Sequence, residues 1–188
     1  MKKGLVLIAL VTSLAATGLA QRGTVFTGTA LIYGSGFNTR TVTRNFTLNI
    51  TGKTSDSDAK RYLEILDRGG QTALRNEIDR VDLGRLSFDG RVGQELNAVL
   101  IDRTSSGTRI RAISQRWMGF GELRRGYRSV DYPFTYVEIN IDRRGRGEGM
   151  IIPAAKIRFR GGDTIEVEDF GTFPGRLMGI RMRGAQLP

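Results

Sequence analysis

The side chains best suited to chemistry lie between Arg116 and Phe134, where Trp117, Phe120, Tyr127 and Tyr132 are interleaved with Arg116, Arg124, Arg125 and Arg128. Guanidinium forks clamp carboxylates and phosphates through paired hydrogen bonds, and aromatic faces beside them stack on the same ligand. This spacing predicts that these eight residues form a binding face for an anionic or amphipathic ligand. The run Arg116-Trp117-Met118-Gly119-Phe120-Gly121 lacks strong periodicity, and a long irregular connection inside a compact domain is more often functional than a short one. The competing expectation is an ordered loop that closes one end of a barrel, with its aromatics capping the core and its arginines paired to Glu122 and Asp131.

Catalytic chemistry is narrowed by what the chain lacks. It contains no His and no Cys, which excludes Ser-His-Asp triads, thiolate nucleophiles, imidazole or thiolate zinc sites and haem His ligands. Carboxylate pairs, a Ser-Lys or Lys-only mechanism and an all-oxygen Ca²⁺ site survive this filter. The acidic candidates are Glu166, Glu168 and Asp169, and Asp56 with Asp58. Glu166 and Glu168 alternate with Ile165 and Val167, which puts both on the wet face of a strand and within reach of cross-strand arginines. Asp56 and Asp58 stand where a helix begins and complement its dipole. The run Thr54 to Asp58 lacks the Gly and the distal Glu of a Ca²⁺ loop. No catalytic residue, metal or cofactor is assigned, and the inventory favours binding over catalysis.

Positive charge is carried almost wholly by Arg. Lys and Arg outnumber Asp and Glu by 29 to 19, for a formal charge of +10, and beyond residue 20 the only lysines are Lys53, Lys60 and Lys156. Arg binds oxyanions but does not act as a base. A second cluster, Arg143-Arg144-Gly145-Arg146-Gly147, is expected at a hairpin tip. Clustered Arg can grip phosphate, yet basic charge alone is weak support for nucleic acid, so the expected partner is an anionic envelope component or an amphipathic small molecule.

Met1-Lys2-Lys3, the apolar run Leu5 to Ala16 and Gly18-Leu19-Ala20 have the order of a secretory signal peptide. Cleavage is expected after Ala20. The apolar run is shorter than the ~20 residues needed to span a bilayer, so no transmembrane segment is expected once the leader is removed. Loss of Lys2 and Lys3 lowers the formal charge by two. The expected destination is the periplasm or the extracellular space, and residues 21–188 are expected to form a single domain with a self-sufficient core.

The elements that must position these groups follow from periodicity. Thr24 to Tyr33 and a second run containing Val42, Phe46, Leu48 and Ile50 read as a hairpin turned at Gly34-Ser35-Gly36. Ser55 and Asp58 start a helix whose stripe Ala59, Tyr62, Leu63 and Leu66 stops at Gly69-Gly70, and Leu74, Ile78 and Val81 give a second short helix. A helical hairpin insertion at about 55–81 is therefore predicted, by the 3.6-residue period. Strands are expected over 86–92, 94–102, 108–118, 134–142, 149–160, 164–170 and 176–183, each with one wet and one dry face. The fold class is mainly β (α+β): an antiparallel barrel or sandwich of about eight or nine strands.

Arg128-Ser129-Val130-Asp131-Tyr132-Pro133-Phe134-Thr135-Tyr136-Val137-Glu138-Ile139, Gly145-Arg146-Gly147-Glu148-Gly149 and Thr51-Gly52-Lys53-Thr54-Ser55-Asp56 resemble a group of small exported bacterial proteins of uncharacterised function. The resemblance implies that the turn from Asp131 to Phe134 belongs to a shared architecture. It implies no activity, ligand or catalytic residue.

The leading expectation is a non-enzymatic exported envelope protein that binds an anionic or amphipathic partner. The alternatives are a lipocalin-like carrier, holding an apolar molecule inside the barrel, and a carboxylate-dependent hydrolase, which needs two acids facing one cleft.

Overall fold

A computed structural model of the chain describes residues 23–33, 40–116, 128–162, 164–171, 173–184 and 187–188. The expected leader, the first turn and the whole stretch from Trp117 to Tyr127 lie outside the described residues.

The described residues fold into an antiparallel sheet of ten strands with one helical element against it. The strands are β1 (Thr24–Ile32), β2 (Val42–Ile50), β3 (Gly84–Phe88), β4 (Gln94–Glu95), β5 (Ala98–Arg103), β6 (Gly107–Gln115), β7 (Phe134–Asp142), β8 (Arg146–Gly161), β9 (Thr164–Asp169) and β10 (Gly175–Arg183). Their spatial order is β4-β3-β2-β1-β10-β8-β7-β6-β5, with β9 paired to the distal half of β8. The last strand thus lies against the first. The expected mainly β class is observed.

The sheet curls into a half-barrel, and one short stretch of chain ties its two ends. The single run expected over 94–102 is split into β4 and β5, separated only by Leu96 and Asn97. Leu96 exchanges main-chain hydrogen bonds with Leu83 and Gly84 at one end of the sheet, whereas the Asn97 amide donates to Ile113 of β6 at the other. The Asn97 side chain locks the crossing, because its Nδ2 donates to the Val81 carbonyl at 2.9 Å and its Oδ1 accepts from the Gln115 amide at 2.8 Å.

Two apolar cores lie on opposite faces of the sheet. The inner one gathers Phe26, Phe46, Leu48, Leu86, Ile110, Ile139, Ile151 and Leu177, all essentially buried. Each such side chain removed from water stabilises the fold by ~1.5–3 kcal/mol, which lets the domain stand without disulfides. The outer core gathers Leu66, Leu74, Ile113, Phe134, Tyr136, Ile152 and Ile157 beneath the helix. Here the expectation of one wet face per strand is corrected. On β7, Phe134, Thr135, Tyr136 and Val137 are all buried in succession, because the helix covers the outer face there.

The helical element, α1 (Asp56–Ile78), is capped as expected, with the Ser55 hydroxyl accepting from the Asp58 amide at 3.1 Å and donating to its carboxylate at 2.7 Å. The expected helical hairpin is observed: two helical segments meet at Gly70 and fold back on each other, so that Arg61 of the first pairs with Glu77 of the second at 3.0 Å, where a straight helix would hold them roughly 24 Å apart. Gly70 sits at φ 64 and ψ -168, in a region that only Gly adopts without strain, and helical geometry resumes at once beyond it. Among the described residues, no helix is long and apolar enough to cross a membrane.

Candidate functional site

Of the face expected between Arg116 and Phe134, Trp117, Phe120, Arg124, Arg125 and Tyr127 lie outside the described residues, and Arg128 is described only in its backbone, at the start of a 3-10 turn over Arg128–Asp131. Arg116 follows the end of β6. Its amide donates to the Pro133 carbonyl at 2.8 Å, its Nε to the Tyr132 carbonyl at 2.9 Å and its Nη2 to the Ser129 carbonyl at 2.7 Å. The guanidinium thus staples the two ends of the excursion together. Tyr132 is 2% exposed, stacks edge-on to Phe170 at 5.2 Å and donates its hydroxyl to Glu168 at 2.6 Å. Lys156 stands 5.9 Å above its ring. In these two residues the chemistry is that of an ordered junction.

The acidic candidates are engaged on the sheet surface. Arg158 pairs with Glu168 at 2.9 Å and Arg160 with Glu166, diagonally across the β8–β9 ladder. This is the arrangement expected from their alternation with Ile165 and Val167. Tyr136 donates to Glu138 at 2.9 Å, and burial pushes its phenol well above the ordinary value. Asp56 and Asp58 stand in the first turn of α1. Among the described residues no group of three acids is placed to hold a metal ion.

A concavity lies instead between α1 and the outer face of the sheet. It has a volume of about 290 Å³, at the lower end of the ~300–1,000 Å³ common for small-molecule sites. The helix contributes Ala59, Tyr62, Leu63, Leu66, Leu74 and Ile78. The sheet contributes Ala98 and Leu100 from β5, Ile113 from β6, Ile157 from β8 and Ile165 from β9. Two alanines in this lining fill little volume. The helix is held over the sheet at both ends: Thr54 exchanges an amide and a hydroxyl hydrogen bond with Val99, and Gln115 of β6 donates to the Arg75 carbonyl at 2.7 Å.

Four charged side chains join the lining, Lys60 and Arg111 against Asp56 and Asp102. Arg111 and Asp102, neighbours on β6 and β5, form an ion pair at 2.7 Å. The Nε–H of Arg111 is buried without an acceptor among the described residues, and such an orphan costs ~1–3 kcal/mol until something supplies one. Burial also raises the Tyr62 phenol above its ordinary value, with the Asp58 charge adding to the shift.

Sequence reasoning missed this pocket. The stripe Ala59, Tyr62, Leu63 and Leu66 was legible as the buried side of a helix, but nothing local shows that the sheet face beneath it has Ala98 where a larger side chain would fill the gap. The sixteen buried positions of the inner core place the described cavity outside the half-barrel interior, under the helix.

Compared with protein-family models, curated proteins and solved structures, the chain matches none.

Proposed function

We propose that this is an exported, non-enzymatic binding protein whose ligand is a small amphipathic molecule held between α1 and the sheet. The observation that carries this reading is the pocket of about 290 Å³, apolar over most of its lining and furnished with one unsatisfied buried donor on Arg111. An apolar body the size of a short acyl chain or a single ring fits the space. An oxygen on that molecule, from a carbonyl, ether or hydroxyl, accepts from the Arg111 Nε–H. The lining charges balance in sign, so a neutral head group serves as well as an anionic one. Binding rather than turnover is favoured because Asp102 is tied to Arg111 and Asp56 stands in the first helical turn.

The test is titration of the chain beginning at Gln21 with 1-anilinonaphthalene-8-sulfonate, followed by displacement with octanol and with octane. Saturable dye fluorescence, reversed more effectively by octanol than by octane, is expected. Ala59→Trp, which fills the pocket from its helical rim, should abolish it while leaving the circular dichroism spectrum unchanged. Undiminished dye binding by a folded Ala59→Trp chain would overturn the assignment.

A further inference from the structure

One end of the half-barrel carries a group of arginines that the pocket does not use. The strand register brings three chain segments together there: the β5–β6 turn after Arg103, the β7–β8 turn at 142–146 and the end of β10. Arg146 of β8 lies directly opposite Arg181 of β10, and Arg183 follows two residues on, on the same face. Like charges directly opposite on neighbouring strands repel. Nonetheless the side chains of Arg144, Arg146, Arg181 and Arg183 are exposed and make no ion pair or side-chain hydrogen bond among the described residues. Arg143 donates to the Ser105 carbonyl, at 3.1 Å.

The acids nearby do not cancel this charge. The Asp142 carboxylate accepts from the amides of Arg144 and Arg146 at 2.8 and 2.9 Å, fixing the turn. The Arg146 amide bond, with help from the guanidinium charges beside it, holds that carboxyl below its ordinary range. Glu148 is the remaining acid on the same face of β8.

We propose that this end of the half-barrel docks onto an anionic phospholipid surface. The guanidinium groups are spread over adjacent turns and strand ends rather than converging on a cleft, so the partner they match is an extended plane of negative charge. A linear polyanion would call for a stripe along the strands, where Arg158 and Arg160 of β8 are already paired with Glu168 and Glu166 of β9. Met182, partly exposed between Arg181 and Arg183 and lying over Gly145, adds an apolar side chain at the same rim. This inference stands apart from the pocket beneath α1.

The test is flotation of the chain beginning at Gln21, which carries the whole described sheet, with vesicles of phosphatidylcholine alone or mixed with phosphatidylglycerol. Binding to the anionic vesicles alone is expected, with loss at ~1 M salt, where the screening length falls to about 3 Å. Arg146→Gln/Arg181→Gln/Arg183→Gln should weaken it about 100-fold, at roughly fivefold per arginine. Arg68→Gln/Arg80→Gln/Arg176→Gln lowers the net charge equally at exposed positions elsewhere and should leave binding within a few-fold of the parent. Equal binding to neutral vesicles, equal weakening by the two triple variants, or binding to dextran sulfate and DNA without vesicle flotation would each overturn the proposal.

Discussion

Replacing Asn97 with leucine removes a side chain that hydrogen-bonds across the crossing from β4 to β5 while keeping the number and branching of side-chain heavy atoms. Asn97 is 3% exposed and bonds to the Val81 carbonyl at 2.9 Å and the Gln115 amide at 2.8 Å. Its loss leaves a carbonyl and an amide without protein partners. Each orphaned group costs ~1–3 kcal/mol when fully buried. Val81 and Gln115 are half-buried and water reaches them in part, so the lower half of that range applies and the sum is about 2–4 kcal/mol. For a domain of this size each kcal/mol lowers Tm by roughly 2–4 °C, so a drop of about 5–15 °C is expected. Circular dichroism through thermal and urea unfolding measures it, and hydrogen exchange at the Gln115 amide should accelerate beyond that of its strand neighbours. A shift below about 2 °C, with Gln115 still protected, would refute the idea that Asn97 ties the ends of the sheet.

Three further outcomes follow from the geometry. Ile139→Ala, at a fully buried position of the inner core, should cost ~2–5 kcal/mol by urea denaturation, the usual range for a core isoleucine. Gly70→Ala forces a side chain into the essentially Gly-only region at φ 64 and ψ -168, with open space around it; a loss of ~1–3 kcal/mol is expected, and Gly70→Asn should cost about as much, because Asn tolerates positive φ only in the αL basin. The third concerns alkaline pH: the Tyr136 phenol is raised by burial and by its hydrogen bond to Glu138. Its contribution is complete below ~10, the unfolded value, and declines above it because the unfolded chain releases that proton first. Urea midpoints should therefore fall above pH ~10, and Tyr136→Phe should flatten that fall.

Much of the fold was legible because its signals are local. Ser55 and Asp58 announce the helix start, and Glu166 and Glu168 announce their surface by alternating with Ile165 and Val167. Val137, Ile139 and Ile141 alternate with Glu138, Asn140 and Asp142, and the strand is observed over those residues. Legibility ended where one residue's role depends on another far along the chain. Arg116 has the chemistry of an anion clamp, yet it binds the carbonyls of Ser129 and Tyr132. The break at Gly70 and the second helical segment beyond it were visible, but which sheet face the two segments would cover was set by the packing of Leu66 and Leu74 against it.

The sequence by itself determined the mainly β class, most strand positions, the helix cap, the absence of His and Cys chemistry and the basic, Arg-borne charge. These are properties of composition and of short periods, which each segment carries with it. Only the tertiary structure decided that β1 pairs with β10, that β4 and β5 tie the two ends of the sheet, and that α1 covers one outer face above a pocket. It also decided that Arg146 faces Arg181 without an intervening acid. The physical reason is common to all four. Register and layer packing are settled by burying apolar area between segments distant in sequence, and no single segment records which partner will cover it.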